Sequence, residues 1–193
     1  MPWEFDTNLS KVMWSVSYLG IATVNGRFTD VQAHLDLESD DPRDWKSSVV
    51  IQTASVYSGY QAMDDHLRAP AYLAAEQYPT IEFKSSAVEV LPAGHPAEAG
   101  DKFNGVASWE PRADHFRVTG SLTLRGVTRP IELDTWYFGS ATDTRGLTRR
   151  AFRATTSIRR ADFAIYKPPH AEIAREVAGE VVDLRFDILA NQR

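Results

Sequence analysis

The chain contains no cysteine among its 193 residues. This absence excludes disulfide bonds, thiolate catalysis and cysteine-ligated zinc or iron–sulfur centres. Basic charge is also not in excess, because 21 Lys and Arg face 26 Asp and Glu, for a formal net charge of −5. A chain with this balance has neither the basic surface that binds nucleic acid nor a polybasic anchor for anionic membranes.

Long apolar runs are missing as well. No stretch approaches the roughly 18–20 apolar residues of a transmembrane helix, and the N-terminal sequence MPWEFDTNLSKVMWSV lacks a basic start and a small-residue cleavage site. We therefore expect no stable membrane insertion and a cytoplasmic location. The hydrophobic share of 43% is that of an ordinary globular protein, and residues 1–193 are expected to form a single domain.

What the sequence has in abundance is two-residue periodicity, which is typical of half-buried β-strands. Trp14, Val16 and Tyr18 fall on one side of an extended chain, and similar alternation recurs in HFRVTGSLTL and EVVDLRFDILA. About eight long strands are predicted, mostly as antiparallel neighbours. Because closure removes exposed edges, the pattern favours an all-β fold, an extended eight-stranded antiparallel barrel. A two-sheet sandwich is the alternative.

Two stretches depart from simple alternation. The frame of residues 24–38 shifts near Thr29 and Asp30, which predicts a β-bulge. Residues 59–77 lack β-branched side chains, are rich in Ala, Leu, Gln and Glu, and are split by Pro70. This composition predicts a short helical insertion made of two helices.

The positions predicted to face the barrel interior mix large and small side chains. Trp14 and Phe83 are large, whereas Gly26 and Gly120 have no side chain at all. The interior of an eight-stranded barrel is just wide enough to be filled by side chains or to hold one small ligand. On the pattern alone, a solid core and a hollow container both stay open.

Five stretches occur in a characteristic order: FDTNLSKVMWSVSYLGIATVNGRF, DDHLRAPAYLAAEQYPTIEFKSS, GSLTLRGVTRPIEL, TSIRRADF and a closing strand after GEVV. Together they resemble the YceI-like, or polyisoprenoid-binding, family over most of the chain. The resemblance implies an extended, lipocalin-like, eight-stranded antiparallel barrel. It also implies that the lumen binds a long-chain isoprenoid lipid or a similar amphiphile.

The function expected from this resemblance is non-enzymatic binding, sequestration or transport of such a lipid. The expected partner is an apolar small molecule, with no nucleic acid, and a homodimer is one possible assembly. No cofactor is expected other than a bound isoprenoid or quinone-like lipid. The residues expected to contact the ligand in the lumen are Trp14, Val16, Tyr18, Phe28, Ile81, Phe83, Leu122 and Phe186.

The chain departs from the family pattern at three positions. Tyr18 stands where the family usually has His, Arg159 replaces an Asn, and Ala164 replaces a Gly. Tyr18 keeps a hydrogen-bonding tip but removes a group that titrates near neutral pH. We expect Tyr18 to contact the head group of the ligand, and the head group and any pH response to differ accordingly.

Polar clusters give little support to other chemistry. Asp64, Asp65 and His66 are adjacent, and neighbouring residues on a helix do not face one another, so no metal site is expected. No G-x-S-x-G elbow or Gly-rich phosphate loop is present, and no catalytic residue is expected. Arg160 and Asp162 are a candidate buried pair near an opening of the barrel.

Two further hypotheses remain at this stage. The first is a lipid-modifying enzyme that acts inside the barrel, with Tyr18 or His66 as acid or base. The second is a filled barrel that serves as a protein-interaction module and binds partners through its helical insertion.

Overall fold

The computed structural model describes residues 2–94, 113–165 and 178–192. These residues form eleven β-strands and one α-helix. The strands are β1 Trp3–Phe5, β2 Lys11–Tyr18, β3 Ala22–Phe28, β4 Val31–Asp36, β5 Lys46–Gln52, β6 Val56–Tyr57, β7 Thr80–Gly94, β8 Ala113–Leu124, β9 Val127–Thr142, β10 Thr148–Arg159 and β11 Ala178–Gln192, and the helix is α1 Gln61–Arg68.

Eight of the strands close into an antiparallel barrel in the order β1-β4-β5-β7-β8-β9-β10-β11. The ring closes where Glu4 and Phe5 of β1 lie opposite Asn191 and Ala190 of β11. The other three strands, β2, β3 and β6, extend the sheet from β11. The predicted barrel is therefore confirmed, and the alternative of a two-sheet sandwich is wrong.

The predicted bulge near Thr29 is wrong, because the chain breaks there into two strands. Strand β3 ends at Phe28 and pairs with β2 and β6, whereas β4 begins at Val31 and pairs with β1 and β5. Thr29 and Asp30 therefore lie between two strands with different partners. The break allows one nearly continuous extended stretch to serve two parts of the sheet.

Only the first of the two predicted helices forms. Helix α1 ends at Arg68, and turns follow through residue 77. The backbone N–H of Leu73 donates to the carbonyl of Leu67, and that of Ala75 donates to the carbonyl of Arg68, each at 3.0 Å. The segment after Pro70 therefore satisfies the free carbonyls at the end of α1 instead of forming a helix of its own.

Two apolar clusters occupy the barrel interior. The larger one has buried residues from β2, β5, β7, β8, β9 and β10, among them Val12, Ile81 and Leu122. The smaller one lies where β1 closes the ring and includes Trp3 and Ala190, with Trp45 packed against it. Most residues of both clusters also line the lumen.

A group of hydrogen bonds centred on Asp6 holds the turn after β1 to β10 and β11. Oδ1 of Asp6 accepts from the backbone N–H groups of Asn8 at 3.0 Å and Leu9 at 2.9 Å. Oδ2 accepts from Nη1 of Arg149 at 3.0 Å and Nδ2 of Asn191 at 2.9 Å. Burial alone would raise the pKa of Asp6, but these four donors together hold it below its ordinary value of 3.8.

We expect Asp6→Asn to lower the free energy of unfolding at pH 7 by about 1–2 kcal/mol, because the charge-assisted bonds are lost. The folded-state pKa of Asp6 is depressed, so its contribution is fully present above the unfolded-state pKa and is lost as pH falls through the folded value. Urea denaturation at several pH values should show the variant and the parent converging in acid. Asp40→Asn, at an exposed carboxylate, is the control, and a pH-independent difference for Asp6→Asn would contradict this account.

Candidate functional site

The barrel contains a cavity of about 260 Å³ with an almost wholly apolar wall. The wall is built from inward residues of most strands, together with residues that follow α1. An apolar cavity of about 150 Å³ already admits a benzene ring. The interior is therefore a container large enough for an apolar group, and not a core filled from end to end.

Seven of the eight residues predicted to contact a ligand line this cavity: Trp14, Val16, Phe28, Ile81, Phe83, Leu122 and Phe186. Tyr18 does not line it, and its side chain is 38% exposed. The pairing of β2 with β11 shifts in register between Ala178 and Val182, beside the end of β2. The extra residues of this shift lie in β11, because β2 stays in unbroken register with β3 as far as Tyr18. Tyr18 is the last residue of β2, directly before the turn at residues 19–21, and it lies beyond the end of the cavity wall. Ligand contact by these residues stays a prediction.

Several wall residues were missed at the sequence level because they lie outside alternating strands. Trp45 precedes β5, Tyr72 and Leu73 lie in the turns after α1, and Arg160 and Ile165 follow β10. Irregular segments give no periodic signal for the direction of a side chain. The short apolar run AYLAA at residues 71–75 was the available indication that this segment packs against the lumen.

Two glycines allow large rings to line the hollow without filling it. Gly26 lies opposite Trp14, and Gly120 lies opposite Ser85, two residues from Phe83. A Cβ atom built on either glycine would come within 3.0 Å of the neighbouring ring, Trp14 or Phe83. Each ring therefore lies against the backbone of the wall, which leaves space along the axis.

The end of the lumen next to β1 is packed by aromatic side chains around Trp45. The Trp45 ring meets Phe116, Tyr137 and Phe152 edge-on, with centroid distances of 5.7 to 5.8 Å. Its Nε1 donates to the carbonyl of Ser39 at 2.7 Å. Edge-to-face pairs at this spacing stabilise beyond their buried area, so Trp45 is held firmly at this end.

Arg150 adds a cation to the same aromatic cluster. Its guanidinium carbon lies 4.3 Å from the ring centroid of Trp3 and 5.4 Å from that of Trp45. Its Nη1 donates to the carbonyl of Leu37 at 2.7 Å. Arg150 does not line the cavity, so its charge belongs to the packing of this end.

Two buried side-chain donors in the cavity wall have no hydrogen-bond partner in the described ranges: Nε1 of Trp14 and Nε of Arg160. Arg160 donates through Nη2 to the carbonyl of Ala178 at 2.7 Å. The predicted pair with Asp162 does not form. Asp162 is exposed, and its carbonyl accepts from Nε of Arg129 at 3.3 Å.

The residues considered for catalysis lie elsewhere. Neither Tyr18 nor His66 lines the cavity, and the His66 ring packs on Tyr72 at a centroid distance of 4.3 Å. Asp64 is buried and accepts from the backbone and hydroxyl of Ser58 at 2.7 and 2.6 Å, which ties the start of α1 to β6.

The described part of the chain offers neither a metal site nor a membrane-spanning helix. Across residues 2–94, 113–165 and 178–192, no group of three or more His, Cys, Asp or Glu side chains could hold a metal ion. Over the same residues, no helix combines the length and apolar character needed to cross a membrane.

The family model for the YceI-like domain matches residues 3–190 of the chain. The protein belongs to the YceI-like family. A UPF0312 protein of Pseudomonas putida (strain W619) is 32% identical over 157 residues, which are 81% of this YceI-like chain and 71% of the relative.

Solved structures show the same fold. The YCEI protein of Campylobacter jejuni matches this YceI-like chain with a TM-score of 0.68 at 25% identity, over 90% of this chain and 87% of that one. A polyisoprenoid binding domain from Saccharophagus degradans, implicated in plant cell wall breakdown, matches with a TM-score of 0.68 at 15% identity, over 100% and 99% of the two chains. At 15% identity the second likeness shows the fold alone.

Proposed function

We propose that this YceI-like protein binds a long-chain isoprenoid lipid, or a similar amphiphile, in the barrel lumen and sequesters or transports it without chemical change. The observation that carries the proposal is the apolar cavity of about 260 Å³ inside a closed barrel. Membership of the YceI-like family supports it, as does a fold neighbour described as a polyisoprenoid binding domain.

The energetics of a hydrocarbon tail suit a carrier. Burial of one five-carbon isoprene unit from water contributes about 4 kcal/mol, at about 0.8 kcal/mol per methylene. Several units would soon reach the limit of about 20 kcal/mol for non-covalent binding. Because lipid tails in a bilayer are already in an apolar environment, transfer of the tail from bilayer to barrel is nearly neutral. Contacts to the polar end therefore decide which ligand is selected.

The proposed contacts to the tail are the wall residues predicted from the sequence. They are distributed over β2, β3, β7, β8 and β11, so the tail would be surrounded on several sides. Tyr18 is not part of this tail site, because it does not line the cavity. The proposed tail contacts are Trp14, Val16, Phe28, Ile81, Phe83, Leu122 and Phe186.

Denaturing mass spectrometry of the protein purified from its native source tests the proposal. We expect a stoichiometric apolar lipid to be released, and we expect lipid-stripped protein to retain farnesol or a longer polyprenol through gel filtration. The retained lipid should keep its mass after prolonged incubation, whereas an enzyme would change it. Protein that is free of lipid and retains none of these alcohols would refute the proposal.

A further inference from the structure

We infer that Arg160 receives the polar end of the bound amphiphile, and that this end carries anionic oxygen, as in a carboxylate or a phosphate ester. The inference rests on the proposed function and assigns the head group that the lumen selects. It places the head-group contact on Arg160 and not on Tyr18, which lies outside the cavity wall.

The first argument is that Arg160 is a buried cation with no counter-charge in the described part of the chain. The residue is 8% exposed, lines the cavity, and has a buried Nε with no partner. Among the residues that the structure describes, no carboxylate forms an ion pair with it. Nearby, Oε1 of Glu180 accepts from the backbone N–H of Ala161 at 3.2 Å. A buried charge costs stability unless it is paired, and an anion in the lumen would pair it.

The second argument is the contrast with the other arginines whose Nε is buried without a partner. Arg125 lies over the ring of Tyr78 at 6.0 Å, and Arg150 lies over the ring of Trp3 at 4.3 Å. Neither lines the cavity. Of these three arginines, Arg160 alone faces the lumen, and no aromatic ring within residues 2–94, 113–165 and 178–192 lies against its guanidinium.

The third argument is the geometry of the guanidinium. Its planar fork matches the two oxygens of a carboxylate or phosphate. Among the residues with a described structure, Nη2 of Arg160 donates to the carbonyl of Ala178, and Nε has no acceptor. The unsatisfied Nε–H can donate to an oxygen of a head group without breaking the bond to Ala178.

The fourth argument is the polarity of the lumen along its axis. Arg160 directly follows the last residue of β10, whereas Arg150, near the start of β10, packs on the aromatic cluster of Trp45. The nine last residues of β10 lie between the two, which corresponds to roughly 30 Å along the strand. An amphiphile would therefore lie with its head at Arg160 and its tail directed toward Trp45.

A binding comparison with chain-matched probes tests the inference. The probes are farnesoic acid, farnesyl monophosphate and the neutral alcohol farnesol, titrated into lipid-stripped protein. We expect the parent to bind the two anions roughly 10- to 100-fold more tightly than farnesol, the gain typical of charge-assisted hydrogen bonds. Arg160→Met should bind all three with similar affinity and keep the farnesol affinity of the parent.

Arg159→Met is the matched control. Arg159 is the neighbouring arginine, is exposed and does not line the cavity, so this variant should keep the full preference for anions. Lys46→Met tests the other end of the lumen, where Lys46 lines the cavity beside Trp45. If Lys46→Met loses the preference for anions and Arg160→Met keeps it, the head group lies beside Lys46 and not at Arg160, and the inference is wrong. The use of both a carboxylate and a phosphate shows which of the two anions the site prefers.

A spectroscopic measurement on the parent protein covers the case in which Arg160→Met does not fold. In protein with ¹⁵N-labelled arginine, the Nε–H signal of Arg160, assigned with Arg160→Lys, should shift on addition of farnesoic acid and not of farnesol. An unchanged signal, or equal affinity of the parent for acid and alcohol, overturns the inference and leaves lipid binding intact. Failure to bind any of the three probes removes both the inference and the proposed function.

Discussion

Ala154→Trp is expected to abolish lipid binding while the barrel stays folded. Ala154 is buried in the middle of β10, opposite Phe186 of β11 and Thr135 of β9, and it lines the cavity. In a filled core, a side chain of this size would overpack and cost about 1–3 kcal/mol or more. Here the indole can enter the cavity of about 260 Å³. It would occupy the space that the tail needs.

The expected loss is more than roughly tenfold in farnesol affinity, or about 1.4 kcal/mol of binding free energy, measured by titration and by retention through gel filtration. Circular dichroism and urea denaturation should show a barrel of near-parent stability. Thr155→Trp is the matched control, because Thr155 is the next residue of β10 and does not line the cavity. Parent-like binding by Ala154→Trp would show that the lumen is not the site, and an unfolded variant would indicate a filled interior.

Trp45→Ala is expected to lower the free energy of unfolding by about 3 kcal/mol. Truncation of a large aromatic side chain to Ala costs about 3–5 kcal/mol in a core, and Trp45 is only partly buried. The variant loses edge-on contacts to Phe116, Tyr137 and Phe152 and the contact with Arg150. Each aromatic pair contributes about 0.5–1.5 kcal/mol beyond its buried area.

Urea denaturation measures this loss, and Trp45→Phe separates ring packing from hydrogen bonding. The Phe variant keeps an aromatic ring but loses the bond from Nε1 to Ser39, so a smaller loss of about 1 kcal/mol is expected. Removal of the indole also lengthens the lumen at this end. We therefore expect Trp45→Ala to bind geranylgeraniol more favourably, relative to farnesol, than the parent does. Unchanged stability would show that the aromatic cluster does not hold this end of the barrel.

The barrel could be predicted because its strands carry a period-two pattern and closure is the simplest way to remove edges from so many antiparallel strands. The seven wall residues that alternate within strands were predicted for the same reason. Tyr18 was misplaced because it is the last residue of β2 and is exposed, outside the cavity wall. Alternation predicts the side of a strand on which a residue lies, but it does not predict where along the strand the cavity ends.

The hollow itself could not be derived from alternation. Whether a ring crosses the lumen or lies on its wall depends on which residue faces it across the sheet, as Gly26 faces Trp14. Arg160 could not be assigned to the cavity either, because it lies in a short 3-10 turn after β10. Such a turn directs its side chains through local geometry and not through a repeating pattern.

The seating of Trp14 on Gly26 and of Phe83 beside Gly120 sets the calibre of the channel. At each position glycine carries only a hydrogen atom where other residues carry a Cβ atom. A methyl group there would displace the ring toward the barrel axis. The width of the lumen at these two levels therefore depends on the residue behind each ring, on the barrel wall. Substitutions at Gly26 and Gly120 can therefore change the width of ligand that the barrel accepts, without a change in the number or pairing of its strands.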